Sequence, residues 1–204
     1  MDERTHAYYA SHAAEIAERY AAVSGGIDAY FGVAFAPGKR VLDVGAGPSC
    51  NMARLMRLGV DVYGVEPCAE LRAAGLQRCP ELAGRLVAGS LPDLGRPFGG
   101  EFDGVLCSAV LMHLPREEVG DAALALRGVL RPGGVLLLSV PLARPGISED
   151  GRDDKGRLFT PLPEEWLEEV FGAVGLALVE QWHAEDAVGR EGVRWCTLLW
   201  RRPG

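Results

Sequence analysis

The amino-acid sequence predicts an α/β fold in which a seven-stranded, mostly parallel sheet carries helices on both faces. Three observations lead to this prediction. Strand-like and helix-like segments alternate from residue 40 to residue 143, which is typical of parallel strands joined by crossover helices. The strand-like segments are apolar runs without alternation, as expected for strands buried on both sides. A closing helix is followed by LALVEQWH and VRWCTLLWR, whose short connection favours an antiparallel pair.

The order of the segments divides one predicted domain, residues 1–204, into four parts. Residues 1–36 are expected to form a helical cap with a helix over 3–22. Residues 40–141 form the predicted core, with strands at 40–45, 61–66, 85–90, 102–110 and 135–143 and helices at 51–59, 68–77 and 116–130. Residues 142–162 are polar and rich in Gly and Pro, which predicts a mobile lid loop. Residues 163–204 hold the closing helix and β-hairpin.

Composition narrows the class of protein. The chain has 204 residues, 48% of them hydrophobic, so it can bury a sizeable core. Its formal charge of −7 disfavours a nucleic-acid partner, because such proteins usually show a basic face. The first residues carry no apolar signal segment, and no run approaches the ~18 apolar residues of a membrane helix. The expected location is therefore cytoplasmic, without membrane association.

The five cysteines are scattered and form no C-x-x-C pair. Neither a zinc site nor a disulfide framework is therefore predicted, and the cysteines are interpreted as reduced core residues.

The stretch VLDVGAGPSC, residues 41–50, predicts a strand that enters a glycine turn. Gly45 allows a tight turn, and Gly47 allows a ligand to approach the backbone closely. Glu66 lies 21 residues after Gly45, at the end of the next predicted strand. A carboxylate at this spacing suits hydrogen bonds from ribose hydroxyls, so the pattern indicates a cofactor that contains adenosine.

Residues around this turn separate the possible cofactors. A dinucleotide would favour glycine at the position of Cys50, and Asp43 would repel its pyrophosphate. A nicotinamide oxidoreductase of the short-chain type would need Tyr-x-x-x-Lys, which neither Lys39 nor Lys155 completes. The phosphate-binding pattern G-x-x-x-x-G-K-[ST] is also absent. Asp43 instead favours a cationic ligand such as S-adenosylmethionine, which has an ammonium, a sulfonium and no phosphate.

The motifs VLDVGAGPS, VYGVEPCAEL, AGSLPDL, FDGVLCSAVLMHL and LRPGGVLLLSVP together resemble the class I S-adenosylmethionine-dependent methyltransferase family. They occur in the family's order and spacing, and they cover residues 40–141. The closing helix and hairpin resemble the family's last elements, in which the final strand inserts antiparallel. The resemblance implies a Rossmann-like fold, S-adenosyl-L-methionine as cofactor and S-adenosyl-L-homocysteine as product.

The resemblance also implies roles for residues at matching positions. Those implied to bind the cofactor are Asp43, Gly45, Ala46 and Gly47 around the methionine part, Glu66 on the ribose, Pro67, Ser90 and Leu91 around adenine, and Cys107 and Ser108 beneath the sulfonium. Many relatives carry Asp where this chain has Ser90. The N-terminal helix covers the pocket in relatives, which adds Tyr8 and Tyr20 as candidate contacts. His113, after the fourth strand, is the candidate general base, and its alternative role is to orient a loop.

Two functions follow from these residues. The first is methyl transfer to a small-molecule acceptor, since the acidic charge argues against tRNA or DNA and no Asn-Pro-Pro-Tyr-type motif follows the fourth strand, which reads CSAV. The second is a catalytically silent S-adenosylmethionine-binding module that acts through a partner. The sequence predicts neither the methylated atom nor the oligomeric state.

Overall fold

The centre of the molecule, seen in a computed structural model that describes residues 2–23 and 25–204, is a seven-stranded sheet. Its strands are β1 (Arg40–Val44), β2 (Asp61–Val65), β3 (Leu86–Val87), β4 (Phe102–Ser108), β5 (Leu130–Ala143), β6 (Ala177–Glu185) and β7 (Arg194–Arg201). They lie in the order β3-β2-β1-β4-β5-β7-β6. The first five strands are parallel to one another, whereas β7 is antiparallel to both β5 and β6. The predicted fold class, including its antiparallel last strand, is confirmed.

Helices cover both faces of this sheet. They are α1 (Glu3–Ser11), α2 (Ala13–Ala22), α3 (Phe31–Ala34), α4 (Cys50–Arg57), α5 (Ala69–Arg78), α6 (Val119–Val129) and α7 (Glu164–Ala173). One core cluster joins α6 and α7 to the sheet through side chains such as Leu126 and Phe171. A second cluster packs α3 and α4 on the opposite face through Phe31 and Leu55. None of the helices that the structure describes combines the length and apolar character needed to cross a membrane.

The N-terminal cap differs from the predicted single helix over residues 3–22. The helix breaks at His12, which has φ −118° and ψ 16° and separates α1 from α2. The side chains of Ser11 and His12 both bond to the carbonyl oxygen of Tyr8, and such local bonds compete with helical ones. The two short helices then pack on α5 through a small cluster that includes Tyr8, Ile16 and Leu71.

Residues 144–163, which contain most of the predicted lid loop, are anchored to α1. The Arg152 guanidinium donates to both carboxylate oxygens of Asp2, at 2.9 and 2.8 Å. The backbone N–H of Leu158 donates to Oγ1 of Thr5 at 2.9 Å. We call α1, α2 and residues 144–163 together the roof, because they cover one end of the sheet. Closure of the lid segment upon a ligand stays a prediction.

Candidate active site

Two adjoining cavities lie beyond the carboxyl ends of β1 and β4, beneath the roof. The strand order reverses between these two strands, and ligands of open α/β sheets bind at such a point. We call them the Glu66 cavity and the Arg144 cavity after one lining residue of each. The residues shared by both walls include Tyr9, Tyr20, Gly45, Gly47, Ser108 and His113. The two cavities can therefore hold two molecules, or two parts of a reaction, side by side.

The glycine turn after β1 forms the wall between the two cavities. Gly45 has φ +72°, and a Cβ there would lie only 2.4 Å from Cγ2 of Val110, so both backbone and space require glycine. Gly47 has φ +53°, but a Cβ there would meet nothing within 4 Å. Since Gly47 lines both cavities, its missing side chain leaves room for a ligand.

Glu66 connects the end of β2 to this turn. One of its carboxylate oxygens accepts the N–H of Gly47 and the other accepts the N–H of Cys68, both at 2.9 Å. The side chain is almost fully buried, and burial raises its pKa although both backbone bonds oppose the shift. Each carboxylate oxygen has two lone-pair directions, so the group still has capacity to accept hydroxyl protons from a ligand. Pro67, Ser90 and Leu91 line the same cavity.

Asp43 lies beneath the turn and does not line either cavity. It is 1% exposed, and its Oδ2 has no hydrogen-bond partner among the described residues. Burial raises the pKa of Asp43 to about 8, and the negative charge of Glu66 adds to the effect. An unpartnered buried carboxyl group costs stability, and a cation that approached the turn would reduce this cost.

Three hydroxyl groups form a row along adjacent strands at the floor of the Arg144 cavity. Ser108 on β4 lies opposite Ser139 on β5, and Ser139 lies opposite Thr197 on β7. The hydroxyls of Ser108 and Ser139 are 3.1 Å apart. Only Ser108 was predicted from the sequence, because the register that aligns the other two depends on long-range strand pairing. The row offers a ligand both donors and acceptors.

Tyr9 and His113 meet where both cavities adjoin the roof. The Tyr9 hydroxyl lies 3.0 Å from Nε2 of His113, and His113 Nδ1 lies 2.6 Å from the carbonyl oxygen of Leu158. A carbonyl can only accept, so Nδ1 carries the proton and Nε2 accepts the proton of Tyr9. Burial lowers the pKa of His113 to about 4, with Arg157 and Arg144 contributing to the shift. His113 is therefore neutral and weakly basic near pH 7.

Two of the residues predicted to contact the cofactor lie outside both cavity walls. Tyr8 does not line the cavities; its ring stacks on His12 and lies below the Arg157 guanidinium. Neighbouring residues of a helix point about 100° apart, and it is Tyr9 that faces the cavities. Cys107 is fully buried in the core and lines neither cavity. Alternate residues of a strand face opposite sides of the sheet, and it is Ser108 that faces the cavities.

Apart from Asp43, which lies beneath the turn, the other predicted residues lie in the cavity walls. Tyr20 and Ser108 line both cavities, and Ala46 lines the Arg144 cavity. Sequence reasoning missed Tyr9, Arg144 and Arg157, all of which line the Arg144 cavity. Arg144 and Arg157 lie in the segment predicted as a lid loop, for which the sequence indicated no individual contact residues.

A separate group of potential metal ligands lies between α7 and the strands β6 and β7. Ligand atoms of Glu164, His183 and Cys196 lie within 4.8 Å of one another, which the scattered cysteines did not predict. His183 Nε2 is 2.6 Å from Glu164 Oε1, which is a hydrogen-bond distance. Burial raises the pKa of the Cys196 thiol to about 12, and the Glu164 charge adds to the effect, so this thiol is protonated near pH 7.

Comparison with known proteins places these features in a family. A family model described as "Methyltransferase domain" matches residues 42–138, which include the glycine turn, Glu66 and His113. A ubiquinone biosynthesis O-methyltransferase of Xanthomonas campestris is 36% identical over 107 residues, 50% of this chain and 43% of that protein. A tRNA U34 carboxymethyltransferase of Azotobacter vinelandii is 40% identical over 107 residues, 50% of this chain and 32% of that protein.

A solved structure extends the comparison to the whole fold. Magnesium protoporphyrin IX methyltransferase from Synechocystis superposes with a TM-score of 0.74 at 18% identity, over 98% of this chain and 100% of that chain. The fold, the glycine turn and the strand-end carboxylate define a Rossmann-like methyltransferase domain. The family model and the curated relatives identify residues 42–138 as a class I S-adenosylmethionine-dependent methyltransferase domain. The chain spans about half the length, or less, of the curated relatives it matches.

Proposed function

We propose that this chain binds S-adenosylmethionine and transfers its methyl group to a small organic acceptor. The observation that carries the proposal is the pair of carboxyl groups at the glycine turn. Glu66 binds the turn directly, and Asp43 lies beneath it close enough for the two charges to interact. Two acids at this position suit a cationic ligand with ribose hydroxyls and oppose a pyrophosphate.

The residues present fit this cofactor. The unpartnered Oδ2 of Asp43 is a buried polar atom that lacks a counterpart, and a ligand ammonium, directly or through water, would supply one. The open space at Gly47 admits a ligand against the backbone. Glu66 retains lone pairs for ribose hydroxyls, and Ser90 and Leu91 line the end of its cavity, where adenine would lie. Cys107 and Tyr8 are not part of this proposed site.

The protein's contribution to the reaction would be mainly positional. S-adenosylmethionine supplies a methyl group already activated on a sulfonium. Holding two reactants in line can contribute roughly 7–11 kcal/mol to barrier reduction. Ser108 lines both cavities and therefore lies at the boundary where the two reactants would meet. His113 reaches the same boundary, but its Nε2 already accepts the Tyr9 proton, so its predicted role as base requires the Tyr9 hydroxyl to move or to relay the proton.

The Arg144 cavity is the proposed acceptor site. Its aromatic lining, which includes Tyr30, Phe159 and Trp195, suits a small apolar or planar body. The Xanthomonas relative, named for ubiquinone biosynthesis, supports an acceptor of this kind. The Azotobacter relative, named for a tRNA, favours a nucleic-acid acceptor as second candidate. The net charge of −7 and the position of the cavity beneath the roof argue for the small molecule.

Calorimetric titration with S-adenosylhomocysteine, with NAD as comparison, tests the cofactor. We expect micromolar binding of the first and none of the second; the reverse would overturn the site assignment. Turnover is tested by incubating the protein with labelled S-adenosylmethionine and either a small-metabolite fraction or a tRNA fraction. Label in the small-metabolite fraction supports the proposal. Label in tRNA alone supports the second candidate, and binding without any label supports a silent module.

A further inference from the structure

We propose that the acceptor carries a carboxylate, which Arg144 and Arg157 bind in the Arg144 cavity. This inference rests on the proposed function, since it names the chemical class of the acceptor. Both arginines line the cavity, and they lie on residues 144–163 of the roof. The lining also contains the carboxyl groups of Asp28, Glu185 and Asp186, so the positive charge available to a ligand must be located residue by residue.

The two guanidinium groups share one counterion. Asp153 Oδ2 accepts from Arg144 at 3.2 Å and from two nitrogens of Arg157 at 3.0 and 2.6 Å. Its Oδ1 is also occupied, by the backbone N–H groups of Lys155 and Arg157. Two positive charges against one negative charge leave the cluster with a net charge of +1, which one carboxylate would neutralise.

Arg144 has binding capacity that Asp153 does not use. A guanidinium has five N–H groups, and one nitrogen of Arg144 reaches Asp153. Its Nε is buried and has no hydrogen-bond partner among the described residues. Only 14% of the side chain is exposed, so water access is limited. A buried donor without a partner is costly, and a planar carboxylate is the group that the guanidinium edge binds in a bidentate manner.

The other two arginines that line this cavity, Arg54 and Arg190, do not add to the excess positive charge. Arg190 pairs with Asp186 at 2.6 Å, and Arg54 lies 3.9 Å from Asp28. Each has a carboxylate of its own, whereas Arg144 and Arg157 divide one. The excess positive charge is thus localised on one wall of the cavity and is not a general property of its lining.

The surroundings of this wall indicate an aromatic body for the acceptor. The Arg144 guanidinium lies 4.1 Å from the centre of the Phe159 ring, and that ring lies 4.9 Å from the ring of His113. The cluster is therefore next to the Tyr9–His113 pair, at the boundary shared with the Glu66 cavity. A carboxylate bound by Arg144 would orient an attached aromatic ring along this wall toward the cofactor end.

The experiment compares 2-naphthoate with 2-naphthamide, which have nearly the same shape and differ in charge. We expect calorimetry on the wild-type protein to give at least about tenfold tighter binding for 2-naphthoate. Arg144→Gln should abolish most of this preference, and Arg131→Gln, which changes an exposed arginine outside the cavity, should retain it. Arg144→Gln leaves Arg157 to neutralise Asp153, so the fold is expected to survive.

Three results would overturn the inference: equal binding of the two compounds, no measurable binding of 2-naphthoate, or a preference unchanged by Arg144→Gln. The wild-type comparison decides the question even if the variant does not fold. Titration with S-adenosylhomocysteine is a separate measurement on the same samples. If the wild-type protein binds 2-naphthoate more tightly than 2-naphthamide but does not bind S-adenosylhomocysteine, the proposed function is rejected and the anion site is supported. Normal S-adenosylhomocysteine binding without that preference would reject the anion site alone.

Discussion

The hydroxyl of Tyr9 donates to Nε2 of His113 across 3.0 Å and so joins the roof to the segment that follows β4. The His113 ring also donates a hydrogen bond from Nδ1 to the carbonyl oxygen of Leu158, which lies in residues 144–163 of the roof. His113 thus connects three separate segments of the chain while remaining neutral. This arrangement favours a positioning role, and the predicted role as general base stays a prediction.

The neutral, buried state of His113 predicts acid sensitivity. Its pKa is about 4 in the folded protein against an ordinary value of 6.5, so its contribution to stability is fully present above pH 6.5 and is lost as the pH falls through 4. Between pH 6.5 and 5, we expect the wild type to lose about 2 kcal/mol more of its free energy of unfolding than His113→Gln. Urea unfolding at the two pH values measures this difference. Equal losses in both proteins would contradict the neutral assignment, and His183→Gln, at an exposed histidine, is the matched control.

The bonds of Glu66 predict its importance for cofactor binding. Glu66→Gln removes the charge and sets an amide N–H₂ against one of the N–H groups of Gly47 and Cys68. We expect S-adenosylhomocysteine affinity to fall at least about tenfold, since hydrogen bonds to a charged group contribute roughly 1.5–3 kcal/mol each. Calorimetry measures the affinity, and circular dichroism checks the fold. Glu70→Gln, at an exposed carboxylate of α5, is expected to bind as the wild type does. Wild-type affinity in Glu66→Gln would remove Glu66 from the site.

The raised pKa of Asp43 predicts binding that depends on pH. Without ligand the carboxyl group has a pKa of about 8, so it is largely protonated at pH 7. A bound cation would favour the charged form, and the complex would release a proton. We therefore expect S-adenosylhomocysteine affinity to rise with pH up to about 8. The heat of binding at pH 7 should also depend on the ionisation enthalpy of the buffer.

Asp43→Asn should abolish both of these pH effects while weakening binding several-fold. A pH dependence that persisted unchanged in Asp43→Asn would assign the titrating group elsewhere.

The two glycines of the turn predict different defects. Gly45→Ala places a methyl group 2.4 Å from Val110, so we expect it to reduce the free energy of unfolding by several kcal/mol, about as much as a severe core substitution. Gly47→Ala meets open space and incurs mainly the left-handed backbone cost, about 1–2 kcal/mol. Its methyl group projects toward the cavities, however, so ligand affinity should fall more than stability does. Denaturation and calorimetry on both variants check the contrast, and a reversed order would refute it.

The contact between Asp2 and Arg152 predicts how firmly the roof is held. Asp2→Asn weakens a bidentate ion pair, yet asparagine still caps α1, so the helix itself should persist. We expect trypsin to cleave after the exposed Lys155 several-fold faster in this variant. Added S-adenosylhomocysteine together with an acceptor should slow the cleavage if the segment closes on its ligands. Asp154→Asn, in the same segment but exposed, serves as control and should be cleaved at the wild-type rate.

The sequence was sufficient to predict the sheet and the glycine turn, because those features depend on local patterns. Apolar runs and glycines at fixed spacing identify strands and turns without knowledge of their neighbours. The proximity of Glu66 to Gly45 and Gly47 was also predictable, because neighbouring parallel strands bring their carboxyl ends together. The prediction was least accurate for the third strand, which has two residues instead of the six predicted.

The walls of the Arg144 cavity were much harder to predict. The cavity wall contains Tyr9 and not the predicted Tyr8, because the direction of a helical side chain depends on how the whole helix packs. The sequence had predicted one continuous helix, whereas the structure has a break at His12. Arg144 and Arg157 converge on Asp153 within an irregular segment, whose contacts leave no periodic signal in the sequence. Ser139 and Thr197 required the register between β5 and β7.

The distance along the chain between Asp2 and Arg152 has a consequence for synthesis on the ribosome. These partners are 150 positions apart, so the contact cannot form until three quarters of the polypeptide has emerged. Gly47 and Glu66, which also contact each other, are only 19 positions apart and are translated much earlier. Because N-terminal segments emerge first, α1 and α2 remain without their partner in the roof for most of translation. The residues that line the Glu66 cavity, all between 9 and 114, therefore leave the ribosome before the segment that carries Arg144 and Arg157.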